Sequence, residues 1–162
     1  MRILVKPLLI LSAMAMLSGC GFRLQGTGPA LESVSNVYVE ANDRYTFFYR
    51  ELSDQLSQRG ATMASSADDA DSVIYVIEDS RGERVSAVSI RNTPLEYEVF
   101  YTVKYSVRMA GNEVIEPTRI ITKNRYEFDE TKVLGKAEER DMLLKAQAAD
   151  IARQVLVQLS AI

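Results

Sequence analysis

Residues 97–109 read Tyr-Glu-Val-Phe-Tyr-Thr-Val-Lys-Tyr-Ser-Val-Arg-Met, and two kinds of side chain alternate along them. The odd positions are apolar or aromatic, whereas the even positions are polar or charged, with Phe100 the one exception. Because successive side chains of a β-strand point to opposite faces of a sheet, this period of two predicts a long strand with one buried face. Ala-Gly-Asn-Glu at 110–113 predicts a turn directly after it.

Three further segments have the composition of strands. Ser35 to Glu40 is a short β-branched run, and Val73 to Ile77 is a continuous apolar run typical of a buried strand. The second run continues toward Ile90 with a change of phase near Val85, which a bulge or bend would explain. The segment 91–94 (Arg-Asn-Thr-Pro) predicts a turn. Residues 119–128 alternate without a strongly apolar face, which indicates a strand near an edge or against a polar partner.

Two segments show helical periodicity. Tyr45 to Arg59 has aromatic and leucine side chains three and four residues apart and ends before Gly60. Ala137 to Ser160 has an apolar stripe with an acidic start, while residues 61–72 are small and polar and predict a loop. The order β-α-β-β-β-α predicts an α+β fold: a two-layer α/β sandwich with a four-stranded, mostly antiparallel sheet and two helices on one face.

The N-terminal residues have the layout of a lipoprotein signal peptide. Arg2 and Lys6 precede an apolar run that is too short to span a bilayer permanently, and this run ends in Leu17-Ser18-Gly19-Cys20. We predict a signal peptide at 1–19, lipid on Cys20, a flexible tether over 20–34 and a single α/β domain over 35–162. Several acyl chains on one residue would anchor the protein firmly to a membrane.

Composition excludes several classes of function. Removal of residues 1–19 leaves 17 of the 19 basic residues against 22 acidic ones, a net charge of about −5 that argues against nucleic acid as a partner. Cys20 is the only cysteine, so no intrachain disulfide can form, and the chain has no histidine. The commonest general base and the imidazole metal ligands are therefore missing. We predict no catalytic residues, no metal site and no cofactor.

Short motifs in a fixed order resemble one family. They are Cys20-Gly21-Phe22-Arg23-Leu24, then Arg91 leading into Glu96-Tyr97, then Val133-Leu134-Gly135-Lys136 followed by Glu139 before the last helix. Together they are similar to the lipopolysaccharide-assembly lipoprotein family LptE, also called RlpB. Some members carry a polar tail after the last helix, and no such tail follows Ile162 in this sequence.

The resemblance implies a function that composition does not reveal. Members lie on the periplasmic side of the outer membrane, plug the β-barrel LptD, assist its assembly and bind lipopolysaccharide, and none is known as an enzyme. Gly21 after the lipidated cysteine, rather than aspartate, is compatible with export to the outer membrane. The implied partners are thus LptD, lipopolysaccharide and, through the N-terminal lipid, the outer membrane.

Five cations are candidates for contact with lipopolysaccharide phosphates, which charge-assisted hydrogen bonds from arginine and lysine can bind. Arg91 at a strand-end turn and Lys136 before the last helix match positions that bind ligand in the family. The weaker candidates are Arg119, Lys123 and Arg125, on one strand face. For all five the alternative is a solvated cation, and for the last three also protection of a sheet edge.

Two other interpretations remain open at the level of sequence. The first is a structural envelope lipoprotein that binds another periplasmic or outer-membrane protein without lipopolysaccharide. The second is a lipid-anchored hydrolase with a carboxylate pair, which the lack of any acid–base constellation in the sequence disfavours. The polar face of residues 97–109 would suit the polar lumen of a barrel, and it is equally typical of a sheet facing water.

Overall fold

The computed structural model describes residues 34–162, so the predicted signal peptide, Cys20 and residues 20–33 of the predicted tether lie outside the described residues. The strands are β1 (Asn36–Ala41), β2 (Thr62–Met63), β3 (Ser72–Val88), β4 (Pro94–Met109) and β5 (Asn112–Glu127). The helices are α1 (Phe47–Gln58) and α2 (Val133–Leu159), and a 3-10 turn at Glu130–Lys132 precedes α2. Val34, the first described residue, is fully buried in the core.

The five strands form one sheet in the order β2-β1-β3-β4-β5. β1 pairs in parallel with both β2 and β3, whereas β3, β4 and β5 form an antiparallel meander. The α+β class is confirmed, and most of the strand pairing is antiparallel as predicted, but the sheet has five strands rather than four and includes two parallel pairings that involve β1. The parallel pair arises because α1 carries the chain across the sheet between β1 and β3.

The additional strand β2 lies inside the predicted loop 61–72. Two hydrogen bonds hold it to β1: the Thr62 amide donates to the Ser35 carbonyl and the Ala64 amide donates to the Val37 carbonyl, each at 2.8 Å. A two-residue strand has no period that a sequence pattern can display. β2 is recognised only by its pairing with β1.

Both helices pack on the face of the sheet that carries the odd-numbered residues of β4. Five of these residues are fully buried: Val99, Tyr101, Val103, Tyr105 and Val107. The Tyr101 hydroxyl accepts a hydrogen bond from the Phe48 amide of α1 at 3.2 Å, and the Tyr105 hydroxyl donates to Gln158 Oε1 of α2 at 2.5 Å. The predicted buried face of this strand and the position of both helices are therefore confirmed.

The opposite face of β3, β4 and β5, here called the open face, is not covered by either helix. It carries Glu98, Phe100, Thr102, Lys104 and Ser106 from β4. Phe100 is paired across the strands with Gly82 of β3, so the exceptional aromatic residue of this face lies opposite a residue without a side chain. The apolar core and the polar open face thus follow the alternation of the sequence.

The phase change in β3 corresponds to real irregularities in strand pairing. The register between β3 and β4 shifts between Val76 and Glu78, and again between Val85 and Val88. The predicted bulge is confirmed near Val85, and a second bulge lies at Ile77. Because each extra residue reverses the faces, Asp79, Arg81 and Glu83 point to the helical side of the sheet.

The boundaries of the last two elements differ from the predicted ones. β5 begins at Asn112, because Ala110 and Gly111 adopt positive φ angles of 48° and 81° and close a two-residue hairpin. α2 begins at Val133 rather than Ala137, so Lys136 lies in its first turn and not in a loop. None of the helices within residues 34–162 combines the length and the apolar character needed to cross a bilayer.

Candidate functional site

The tip of the β3–β4 hairpin is a compact loop arranged around Ser89. The Ser89 amide donates to the Thr93 carbonyl at 2.8 Å, and the Asn92 amide donates to the Ser89 carbonyl at 2.9 Å. The Ser89 hydroxyl oxygen accepts hydrogen bonds from the amides of Arg91 and Thr93, each at 3.2 Å. Asn92 has a φ of 59°, which asparagine tolerates better than most residues. This network fixes the backbone on both sides of Arg91.

Arg91 is exposed at this tip, and apolar side chains flank it. Ile90 is entirely exposed, and Val88 and Leu95 are 52% and 48% exposed. No carboxylate with a described position lies within 4.0 Å of the Arg91 guanidinium. The tip therefore presents one positive charge next to an exposed apolar surface, an arrangement suited to an amphiphilic anion.

Lys136 has a different environment. Its ammonium group lies 2.8 Å from Glu139 Oε2 and 5.9 Å from the centre of the Tyr126 ring, and its side chain is only 19% exposed. Tyr126 in turn stacks on Tyr97 with ring centres 5.7 Å apart. The charge of Lys136 is thus already paired, and its role in packing the start of α2 competes with any role in ligand binding.

The two first-choice cations lie at different levels of the hairpin. Lys136 is level with Tyr126 and therefore with Tyr97, the cross-strand partner of Tyr126. From Tyr97 the strand runs three residues, or about 10 Å, to Pro94, and Arg91 lies beyond it in the loop. This separation along the hairpin suits a larger ligand with separated phosphates better than a single phosphate group.

The three weaker candidates project from the open face of β5. Arg119 pairs with Glu78 at 2.6 Å, and Arg125 lies 3.8 Å from Glu98. Lys123 is exposed opposite Phe100. β5 is the edge strand predicted as one alternative for this segment.

A network around Glu98, which the sequence pattern does not reveal, neutralises part of the open face. Glu98 is only 7% exposed; Arg84 of β3 lies 2.5 Å from its Oε1, and Arg125 of β5 approaches its other oxygen. The three residues are direct cross-strand neighbours. The alternation of the sequence predicts that Glu98 lies on the polar face. Its pairing with Arg84 and Arg125 cannot be predicted without the register of the strands.

A cleft of about 460 Å³ lies where β1 ends, beside the middle of β3 and the start of α1. Asn42, Thr46, Asp79 and Arg81 contribute to its walls. Neither oxygen of the Asp79 carboxylate has a hydrogen-bond partner among the described residues. Burial, followed by the negative charge of Asp79, raises the pKa of Tyr101 to about 12, while the nearby Arg81 acts in the opposite direction.

The exposed cations of these sites can bind anions. Within residues 34–162 no three acidic or thiol side chains are grouped as a metal site would require. The groups that are exposed and chemically distinctive are single arginines and lysines, which bind anions without transferring protons at neutral pH. The fold and these sites define a class: an α+β sandwich in which one sheet face packs under two helices and the other, within residues 34–162, is not covered by a helix.

Comparison with known proteins narrows this class to one family. The profile of the LptE family, described as lipopolysaccharide-assembly, matches residues 34–159. The chain belongs to the LptE family, and the resemblance seen in the sequence is confirmed. The LPS-assembly lipoprotein LptE of Yersinia pestis (strain Pestoides F) is 22% identical over 160 residues, which cover 98% of this chain and 77% of the relative.

Solved structures show the same fold. The rare lipoprotein B of Shewanella oneidensis superposes with a TM-score of 0.68 at 23% identity, over 78% of this chain and 95% of that protein. An uncharacterized lipoprotein B from Nitrosomonas europaea has a TM-score of 0.71 at 26% identity, over 87% and 91% of the two chains. A minor lipoprotein of Acinetobacter baumannii has a TM-score of 0.64 at 20% identity, over 79% and 92%.

Proposed function

We propose that this protein is a non-catalytic outer-membrane lipoprotein that occupies the lumen of the LptD β-barrel, assists the assembly of that barrel and binds lipopolysaccharide during its insertion into the outer leaflet. Membership of the lipopolysaccharide-assembly family supports this role. The lipid would be attached to Cys20 and hold the protein on the periplasmic side. Residues 20–33 reach at most about 50 Å when fully extended, which is ample for a body next to the membrane.

The open face of the sheet is the observation that carries the proposal. The lumen of an outer-membrane barrel is polar, so a plug must place polar groups against it without burying unpaired charge. On the open face the most buried charge, Glu98, is paired with two arginines, and Arg119 is paired with Glu78. Where the charges of this polar surface are paired, as they are around Glu98 and Arg119, it can lose its water at modest cost.

The hairpin tip supports the lipopolysaccharide part of the proposal. A lipid with phosphates on its head group and acyl chains behind it is an amphiphilic anion, and Arg91 with Ile90, Val88 and Leu95 offers both kinds of contact. We assign Arg91 the leading role in phosphate contact. Lys136 would take part only if the ligand displaces Glu139 from it.

The alternative function is that of a structural envelope lipoprotein that binds a periplasmic or outer-membrane protein without lipopolysaccharide. The paired open face would serve such a partner equally well. The exposed apolar residues at the hairpin tip favour the first proposal, because a purely polar protein contact does not need them.

A crosslinking experiment in the native envelope tests the barrel contact. A photo-reactive residue replaces Lys123 on the open face, and the matched control replaces Met142, which is 65% exposed on α2. We expect a crosslink to LptD that is stronger from position 123 than from position 142. Absence of any barrel adduct at position 123, with the lipidated protein present at normal abundance, would refute the plug.

A capture experiment tests the lipopolysaccharide contact separately. Arg91→Gln is expected to weaken lipopolysaccharide capture about tenfold, since a charge-assisted hydrogen bond is lost. Arg153→Gln is the control, because Arg153 is an exposed cation of α2 that pairs with Asp150. If the barrel co-purifies with both variants and neither loses lipopolysaccharide, the alternative function replaces the first.

A further inference from the structure

Three cations from three different elements converge on one aromatic ring. The guanidinium carbon of Arg81 in β3 lies 5.0 Å from the centre of the Phe47 ring, that of Arg50 in α1 lies 5.5 Å away, and the ammonium nitrogen of Lys145 in α2 lies 5.6 Å away. All three cationic side chains are exposed, and Phe47 is half-buried. These four residues are here called the Phe47 cluster.

The charges of the Phe47 cluster have no acidic partner among the described side chains. Every ion pair within 4.0 Å among these residues involves other cations. On the same side of the sheet, Lys136 is paired with Glu139, and Arg140 with Asp141 and Glu83. The cluster is therefore a local excess of positive charge within a chain of net negative charge.

The position of the cluster increases this excess. Phe47 is the first residue of α1, and the first turn of this helix contains no acidic residue to balance the positive end of the helix dipole. Asp79 and Asp43 line the neighbouring cleft, in which Arg81 also lies. Arg81 stacks on Phe47 and does not pair with Asp79, although the two lie on the same face of β3, two residues apart.

Three cations without acidic partners in the described part of the chain repel one another in the free protein, and a bound anion would relieve this repulsion. We propose that the Phe47 cluster is a binding site for a phosphate monoester, separate from Arg91 and Lys136. A dianionic phosphate offers acceptor oxygens in several directions and can accept hydrogen bonds from cations that reach it from three elements. Phe47 stacks the flat guanidinium groups so that their N–H donors are held ready at the rim.

The acidic walls of the cleft limit where the phosphate lies. Asp43 and Asp79 repel it from the interior, so it binds at the mouth, on the side of α2 where Lys145 projects. The inference does not depend on the plug or on the hairpin tip, because no residue of the cluster belongs to either. The phosphate could belong to a lipid head group or to a soluble molecule, and the test separates the two.

The test uses the mature chain with Cys20→Ser, so that no lipid anchor holds it to a bilayer and no detergent is needed, and it has two probes: inorganic phosphate measured by calorimetry, and phosphatidylcholine vesicles with and without phosphatidic acid measured by co-sedimentation. Arg81→Gln, Lys145→Gln and Arg50→Gln are each expected to weaken phosphate binding about tenfold. Phe47→Leu retains every charge and is expected to weaken binding by a smaller factor through loss of the stacked geometry. Arg153→Gln, which removes a paired cation of α2, is expected to change binding by less than about twofold.

Every outcome of this test either supports or refutes the proposed phosphate site. Binding of either probe that falls with the cluster variants supports the site, and loss of vesicle binding alone identifies a lipid phosphate as the source. If neither probe binds, or if Arg153→Gln weakens binding as much as Lys145→Gln, the site is refuted. The exposed pair Arg50→Gln and Lys145→Gln, combined in one chain, keeps the test decisive should Arg81→Gln disturb folding next to Tyr101.

Discussion

The ring of Phe100 lies against the backbone of Gly82, its direct cross-strand partner on the open face. A Cβ atom built on Gly82 would lie 2.6 Å from Cζ of Phe100 and within 3.2 Å of two further ring carbons. The aromatic ring therefore fills the space that the glycine leaves. Phe100 fits on this face because its cross-strand partner has no side chain.

This contact predicts strong coupling between the two positions. Gly82→Ala should destabilise the protein by about 1–3 kcal/mol, because the added methyl group forces the ring away. Phe100→Ala in the same chain should recover much of this loss, so the two changes are far from additive. Urea unfolding of both single variants and the double variant measures the coupling, and additive free energies of unfolding would contradict the packing described.

Buried tyrosines predict a loss of stability in alkali. Burial raises the pKa of Tyr105 to about 12, and Tyr101 and Tyr126 are raised to a similar value. Because an unfolded tyrosine ionises near 10, the stabilisation is complete below that pH and is lost as pH rises toward 12, at up to about 1.4 kcal/mol per pH unit for each tyrosine. Unfolding free energies measured between pH 8 and 12 test the direction.

Tyr105→Phe separates this effect from general alkaline damage. The variant should lose about 1 kcal/mol at neutral pH, since the hydrogen bond to Gln158 is removed, and its stability should fall less steeply above pH 10. Tyr45→Phe, at a position that is 88% exposed, is the control and should keep its neutral stability within about 0.5 kcal/mol. An unchanged alkaline slope in Tyr105→Phe would show that Tyr105 does not contribute.

The Glu98 network predicts an asymmetric response to charge removal. Arg84 and Arg125 have side chains 61% and 67% exposed, so either arginine alone should cost less than about 1 kcal/mol. Removing both leaves the carboxylate of Glu98, whose side chain is 9% exposed, without a cation and should cost more than the two single changes together. A double-mutant cycle of Arg84→Ala and Arg125→Ala measures this, and strict additivity would mean that water already solvates Glu98.

Lys136 and Arg91 should differ in what their removal changes. Lys136→Gln is expected to lower the free energy of unfolding by about 0.5–1 kcal/mol, because the Glu139 pair and the Tyr126 contact are lost. Arg91→Gln should leave stability unchanged and reduce lipopolysaccharide capture more strongly. Parallel thermal unfolding and capture measurements test this contrast, and equal loss of capture in both variants would return Lys136 to the ligand site.

The sequence predicts those elements whose pattern arises from burial. The alternation in β4 and the helical stripe of α1 follow directly from contact with the core, and both elements were found where expected. β2 and the early start of α2 depend on partners instead: β2 on the edge of β1, and the turn before α2 on Asp129, which accepts hydrogen bonds from the Thr131 amide and hydroxyl. A periodic pattern in the sequence does not indicate contacts of this kind.

The same distinction applies to the sites. The place of Arg91 at a turn could be predicted, because turn residues surround it in the sequence. The pairing and partial burial of Lys136 could not be predicted, since Tyr126 approaches it from another element. The Phe47 cluster brings together residues 47, 81 and 145, whose proximity depends on the mixed sheet and on both helices packing on one face.

The parallel pairing of β1 with β3 also has a kinetic consequence. Short hairpins join β3, β4 and β5, so these strands can pair through local contacts. Val37 of β1, in contrast, pairs with Ser72 of β3 only after the intervening chain closes a loop of more than thirty residues. Loop closure of this kind is slow relative to hairpin formation. We therefore expect the three-stranded meander to form first and β1, with α1 and the start of the described chain, to join it last.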